Sequence, residues 1–265
     1  MKKIHYTDNY LLKPYHPVTI HVAGAGGTGS QVIANLARMN VALQALGHPG
    51  LHVTVFDPDI ITEANIGRQL FSEADLGQGK ATVVVTRVNR FFGTTWTAEN
   101  CRYPVRKTQE NGDDRTKPAN IIITCTDNTR SRLELWRFLK KYRETSVNNE
   151  RAVYYWMDFG NTQSTGQVVL GTIPKKIKQP ASELYKTVDS LKVITRFVKY
   201  ARVKEADSGP SCSLAEALEK QDLFINSTLA QLGCNILWKM FRNGMLEHHG
   251  LFLNLETMKV NPIMI

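Results

Sequence analysis

Several side chains in this sequence have types and spacings suited to phosphate chemistry. Gly24, Gly26 and Gly29 form a G-x-G-x-x-G run inside GAGGTGS, with Gly27 as an extra glycine and Ser30 at its end. Glycines allow a tight turn and close approach of the backbone to phosphate oxygens. Asp57, Asp59, Asn65, Arg68 and Gln69 follow in DPDIITEANIGRQ. An acid in the position of Asp57 bonds a ribose hydroxyl, in a dinucleotide and in ATP alike, so it does not choose between them. Arg68 and Gln69 do choose. Transfer at the α-phosphate of ATP builds negative charge that fixed donors stabilise, and the planar fork of an arginine suits that task. Hydride transfer leaves the pair without an evident use. Lys80, in GQGKATVVV, stands at a predicted helix start, where the dipole disfavours a cation; reaching a phosphate gives it a purpose, while taken alone it reads as a solvated lysine. Asp127 and Asn128, in CTDN, add a carboxylate suited to Mg²⁺, whose ligands are oxygens. Asp127 could equally cap the helix that follows.

These residues need a scaffold, and the hydrophobic pattern supplies one. VTIHVA (18–23) reads as an apolar strand. After the glycine turn, Val32, Ile33, Leu36, Met39, Leu43 and Leu46 share one face of a helix over 30–46. Strand, glycine turn and helix start make the first unit of a nucleotide-binding fold, with the helix N-terminus facing the negative charge. His52–Phe56 is the second strand, a helix runs from Lys80 to about Phe92, and NIIITCT (120–126) is a buried central strand. Asp127 and Asn128 then lie at a strand's C-terminal end, where open parallel sheets bind ligands. VYYWMDF (153–159) and GQVVLG (166–171) read as a strand pair around GNTQST, antiparallel at the sheet's edge. A helix is predicted over 222–241 and a closing hairpin over 250–263. The fold class is α/β, Rossmann-like and mostly parallel, with antiparallel strands on the C-terminal side.

The four cysteines are Cys101, Cys125, Cys212 and Cys234. Cys101 and Cys125 sit in apolar, strand-like segments and Cys234 inside the 222–241 helix, so all three read as packing residues. Cys212 differs. It precedes Ser213 and Glu216, an S-x-x-E capping box, after a Gly-Pro turn. The positive end of a helix lowers a thiol's pKa and favours the nucleophilic thiolate. Residues 174–211 are the least regular stretch, apart from a predicted helical piece over 183–200; they read as a mobile crossing segment, 174–213, that delivers Cys212.

GAGGTGS, D-P-D-x-x-x-x-x-N-x-x-R-Q, Lys80 and CTDN-x-x-x-R resemble, in order and spacing, the adenylation domain of the ThiF/MoeB and ubiquitin-activating enzyme superfamily. The resemblance implies a single adenylation domain over 1–265. In it, Gly24 to Ser30 cradle phosphate and Asp57 binds ribose. Asn65, Arg68, Gln69 and Lys80 act around the triphosphate, and Asp127 coordinates Mg²⁺. P-S-C-S-L at Cys212 is similar to the P-x-C-T-[LI] segment whose cysteine takes the activated C-terminus as a thioester. The implied substrate is a small ubiquitin-like protein, and the implied assembly a homodimer. YYWMDFGN, TGQVVLG, CSLAEALEKQDLFIN and LFLNLET are similar to the ThiF-like proteins of bacterial PRTRC gene clusters. Those clusters also encode ubiquitin-like and conjugating-enzyme-like proteins, so a conjugating-enzyme-like acceptor is a further implied partner. There are two departures. The N-terminus, MKKIHYTDNYLLKPYHP, has no arginine where relatives carry R-Y-x-R-Q to complete the partner subunit's site. No C-x-x-C pair is present, so no structural zinc is expected.

The 265 residues are 42% hydrophobic, an ordinary globular composition. The sequence shows no apolar stretch long enough to span a bilayer and no signal core at its start, which with unpatterned cysteines points to the cytoplasm. The net charge of +9 suits a nucleotide and an acidic partner protein. The basic residues are spread along the chain without a nucleic-acid module, so nucleic acid is not an expected partner. Two rival functions of other classes stay open, and inside the superfamily the adenylated substrate could instead be a small molecule or a tRNA base. An NAD-dependent oxidoreductase would use the same glycine turn and leave Arg68, Lys80 and Asp127 idle. A catalytically silent module would bind a ubiquitin-like protein without turning over ATP.

Overall fold

The computed structural model describes residues 1–105, 117–143, 152–198, 219 and 221–265. Its centre is an eight-stranded sheet in the order β11-β10-β7-β6-β5-β2-β3-β4. β2 (Val18–Ala23), β3 (Leu51–Phe56), β4 (Thr97–Glu99), β5 (Ile121–Thr124) and β6 (Tyr155–Asn161) run parallel. β7 (Thr165–Thr172), β10 (His248–Asn254) and β11 (Lys259–Met264) add antiparallel strands on one side. The expected architecture is therefore present, with strand limits within a few residues of those predicted.

β5 is buried along its whole length, which is why IIIT shows no polar alternation. Its residues still face two ways. Ile121 and Ile123 pack in one core with α2 (Gly27–Ala45), α3 (Lys80–Phe92) and α5 (Ile225–Asn243), while Ile122 packs in the other beneath α4 (Thr129–Leu139). Val168 and Leu170 against Val169 repeat that alternation on β7. The sheet is covered on both faces, as a parallel sheet requires.

A second sheet has the order β8-β1-β9. β1 (Lys3–Tyr6) lies between β8 (Lys186–Thr187) and β9 (Met245–Leu246). The buried His5 fastens this sheet to the main one, with Nδ1 2.7 Å from the Val188 carbonyl and Nε2 2.8 Å from the Tyr155 hydroxyl.

The helix predicted over 183–200 is not formed in its described part. The chain there makes β8 and a short 3-10 turn, Ile194–Arg196. The reason is tertiary. Lys186 and Val188 donate backbone bonds to Lys2 and Ile4, and the Leu191 N–H donates to the Thr172 hydroxyl. Long-range partners outweigh the local periodicity. Among the described residues, no helix is long and apolar enough to cross a membrane.

Candidate functional site

The chain leaves β2 for β3 and β4 on one side, then returns to place β5 on the other side of β2. The strand order thus reverses between β2 and β5, the place where ligands enter open α/β sheets. A cavity of about 260 Å³ opens there. Gly24, Gly26, Gly27, Asp57, Asp59, Arg68, Gln69, Lys80, Asp127 and Asn128 all line it. Residues separated by a hundred positions are brought together at the C-terminal ends of β2, β3 and β5.

The glycine loop is compressed. Gly24 has φ +98°, a conformation that favours glycine, and its N–H donates to the Phe56 carbonyl at 2.8 Å. A Cβ on Gly29 would stand 1.9 Å from the Gly24 carbonyl oxygen. Gly29 therefore serves the tightness of the loop and does not face the cavity. Ser30 is buried, with its hydroxyl 3.3 Å from the Gly27 carbonyl, and also lies outside the lining. Gly26 is the N-cap of α2 and supplies no side-chain cap, so the first N–H groups of a helix of 19 residues have no such partner. Free N–H groups and the positive end of the dipole make an anion site.

Asp57 ties this loop to the next turn. Its two carboxylate oxygens accept from the N–H groups of Ala25 at 2.6 Å and Asp59 at 2.9 Å. Burial pushes its pKa up, while those two donors and the charge of Lys80 pull it down. Each oxygen keeps a lone pair for another donor. Lys80 is the first residue of α3 and is buried, with Nζ 3.1 Å from Asp59 Oδ2. Asp59 is itself exposed on its side chain, so this ion pair sits at the cavity mouth.

Asn65 is not in the lining. Its side-chain oxygen accepts from the Thr62 N–H at 2.9 Å, closing a capping box that shapes the turn leading to Arg68. Asn128, not Asp127, caps α4, accepting from the Ser131 N–H at 2.8 Å. Asp127 is thus left exposed at the end of β5. Arg132, the arginine of CTDN-x-x-x-R, is in the core: its Nε stands 2.9 Å from the fully buried Asp158. Cys125 follows β5, packs partly buried against one core and also borders the cavity; Cys101 packs partly buried against the other core, and Cys234 is buried in α5, so all three pack as expected. Burial pushes the Cys125 and Cys234 thiols up, Cys234 to about 12. Cys212 lies outside the described residues.

Sequence reasoning missed several lining residues: Arg102, Tyr103, Thr126, Asn161, Gln221 and Asn226. Thr126 was visible as part of CTDN; Asn161, Gln221 and Asn226 fall in the C-terminal segments quoted above, where no site role attached to them, and Arg102 and Tyr103 carry no local motif. The Arg68 Nε, Gln69 Oε1 and Thr126 Oγ1 atoms are buried without a hydrogen-bond partner. Such atoms carry a desolvation cost that a ligand would relieve. Burial also lowers the Arg68 pKa. These features fit a polyphosphate. Unsatisfied donors on Arg68 and Thr126, helix N–H groups without a side-chain cap and the cations Arg68, Lys80 and Arg102 converge where anionic oxygens would sit, and Arg68 and Lys80 find a use that the dinucleotide reading denied them. Among the described residues, no group of three or more His, Cys, Asp or Glu is arranged to hold a metal ion.

The sequence profile of the ThiF family matches residues 11–262. The chain is 34% identical over 115 residues to the NEDD8-activating enzyme E1 catalytic subunit of Caenorhabditis elegans, covering 43% of this chain and 24% of that protein. It is 38% identical over 77 residues to ubiquitin-activating enzyme E1 2 of Arabidopsis thaliana, covering 29% of this chain and 7% of that one. It spans less than a quarter of the length of these relatives. Among solved structures it shares its fold with E. coli MccB, at TM-score 0.59 and 16% identity, covering 96% of this chain and 63% of that one. MccB has also been solved with ATP.

Proposed function

The chain belongs to the ThiF family, and from that premise we propose that it binds ATP in this cavity and adenylates the C-terminal carboxylate of a small ubiquitin-like protein. The observation that carries the reading is the convergence of Arg68, Gln69, Lys80 and Asp127 with the glycine loop on one cavity in which the Arg68 Nε, Gln69 Oε1 and Thr126 Oγ1 atoms lack partners. In the proposed reaction an oxygen of the substrate carboxylate bonds to the α-phosphorus while the bond to pyrophosphate breaks. Arg68 and Lys80 stabilise the charge that develops, and Asp57 accepts from a ribose hydroxyl. Mg²⁺, when bound, offsets triphosphate charge. Asp127 is the carboxylate that would hold it, since Mg²⁺ needs only one or two carboxylates beside phosphate and water oxygens.

The second step moves the acyl group to Cys212. Its thiolate attacks the acyl carbon, the bond to AMP breaks, and AMP leaves. A conjugating-enzyme-like protein would then take the thioester. The PRTRC-like segments of the C-terminal half support a bacterial ubiquitin-like partner, and the cytoplasm is the compartment that suits free thiols. We also place a second copy of the chain against the apolar groove of about 790 Å³ lined by Leu70, Phe71, Val84, Val88, Phe91 and Phe92. Phe91 is 82% exposed, and Gln69 borders both this groove and the cavity.

A second reading keeps the chemistry and takes a short peptide's carboxylate as substrate; the fold shared with MccB, which has been solved with MccA, motivates it. ATP–pyrophosphate exchange separates the possibilities. Exchange that needs a ubiquitin-like protein and fails in Asp127→Ala supports the first reading. Exchange driven by short peptides supports the second. Stabilisation by NADH without ATP binding would remove both, and partner binding without any exchange would leave the silent module.

A further inference from the structure

Arg68 reaches the cavity on a turn whose neighbouring side chains do not hold its guanidinium. What holds it comes from the far end of the chain. Arg68 Nη1 donates to Gln221 Oε1 at 2.6 Å. The same oxygen accepts from Asn226 Nδ2 at 2.8 Å. Asn226 Oδ1 accepts in turn from the Thr28 hydroxyl at 2.7 Å and from Asn161 Nδ2 at 3.2 Å. Asn226 is buried, and a Cβ on Gly27 would stand 2.7 Å from its amide nitrogen, so its side chain lies directly on the glycine loop. Gln221 is fixed from the other side. Gln163 donates to the Glu219 carbonyl at 2.9 Å and accepts from the Asp222 N–H at 2.9 Å.

We infer that Gln221, seated by Asn226, is the positioning residue for Arg68: it orients the guanidinium toward the triphosphate and registers it against the glycine loop. The inference rests on the ATP reading given above. The chemistry of the acceptor matters. A carboxylate here would hold Arg68 as an ion pair and offset the charge that the phosphate needs, whereas an amide oxygen orients the fork and leaves its charge intact. One oxygen is shared by Arg68 and Asn226, so Gln221 registers the cation against a glycine loop that Asn226 already holds through Thr28. The Nε of Arg68 stays unpartnered, a donor left for an oxygen that the protein itself does not provide.

The test is a double-mutant cycle on ATP affinity. Gln221→Met keeps the side chain's size and removes the acceptor. It should raise the ATP dissociation constant about tenfold, the scale of one charge-assisted hydrogen bond. In an Arg68→Ala background the same substitution should change it less than about twofold, because its target is gone. An equal loss in both backgrounds would mean that Gln221 only shapes the glycine loop, and would overturn the inference. Wild-type affinity in Gln221→Met would overturn it too. If the wild-type chain binds no ATP, the ATP reading itself has failed, a result separate from either of those. Should Gln221→Met not fold, Gln221→Ala serves in the same cycle.

Discussion

Replacing Arg132 by methionine should destabilise the fold by about 4 kcal/mol while leaving the chemistry of the nucleotide cavity in place. Asp158 is fully buried, and Arg132 is 5% exposed. Arg132 Nε stands 2.9 Å from Asp158 Oδ1, and Nη2 donates to the Phe159 carbonyl at 2.7 Å. The Thr124 hydroxyl also donates to Asp158 Oδ1, at 2.6 Å, and accepts from Trp156 Nε1 at 2.9 Å. Losing one partner of a buried ion pair costs about 3–5 kcal/mol, because the other buried charge loses the counter-ion that offsets its desolvation. The orphaned Phe159 carbonyl overlaps with that cost and places the total near the middle of the range. Methionine restores much of the volume, so a cavity adds little. The assay is urea unfolding of wild type, Arg132→Met, Asp158→Asn and the double variant. Asp158→Asn removes the charge that Arg132 offsets, so the double variant should be more stable than Arg132→Met alone, with a coupling of about 1–3 kcal/mol. A loss under about 1 kcal/mol in Arg132→Met, or strict additivity, would refute the argument.

Acid should weaken the fold through its buried histidines. Burial holds the pKa of His5 and of His21 at about 4, below 6.5. The unfolded chain then binds more protons between those values, so stability is full above pH 6.5 and falls as pH drops toward 4, by roughly 3 kcal/mol per histidine at most. His21→Phe should flatten the slope of unfolding free energy in that window; an unchanged slope would sink the reasoning. Gly29→Ala must displace the Gly24 carbonyl, so the variant should lose the roughly 2.7 kcal/mol of stabilisation expected from ATP at a hundredfold excess over its dissociation constant. Thermal unfolding with and without ATP checks this, and a full shift in the variant would refute it. Cys212→Ala should keep ATP–pyrophosphate exchange and lose any thiol-sensitive adduct with the substrate; an adduct that persists on the variant moves the nucleophile elsewhere. Phe91→Glu puts a charge into the apolar groove and should convert a dimer to a monomer in sedimentation velocity, while an unchanged dimer would put the interface on another face.

The parts of the fold legible in the sequence are those set by local pattern. VTIHVA, the glycine turn and the apolar face of α2 follow each other within thirty residues or so, and each names its neighbour. β5 was legible because an uninterrupted apolar run has few other places to go. The segment over 183–200 was misread because its helical spacing is outweighed by pairing with β1 and by the Thr172 hydroxyl, both remote in sequence. Asn65 illustrates a subtler limit. Its place in the motif is real, but the structure uses its side chain to cap a turn at Thr62, so it acts on the cavity only by delivering Arg68 and Gln69.

The cavity is assembled from residues of two kinds. Gly24, Asp57 and Asp127 lie at the ends of parallel strands, where the backbone alone fixes their position, and a motif describes them well. Arg68 reaches the cavity on an irregular turn, and a long side chain there has many rotamers to lose. Its orientation depends on Gln221, and through it on Asn226, Asn161 and Thr28. Thr28 lies inside GAGGTGS, but the uncharged amides of Asn161, Gln221 and Asn226, in scattered segments, carry no spacing that assigns them to the cavity. They become visible only as a hydrogen-bonded chain. The motif residues therefore say which ligand the site suits, while the amides set how well the cation meets it, and variation in ATP affinity among chains with the same motif should be sought at the amide positions first.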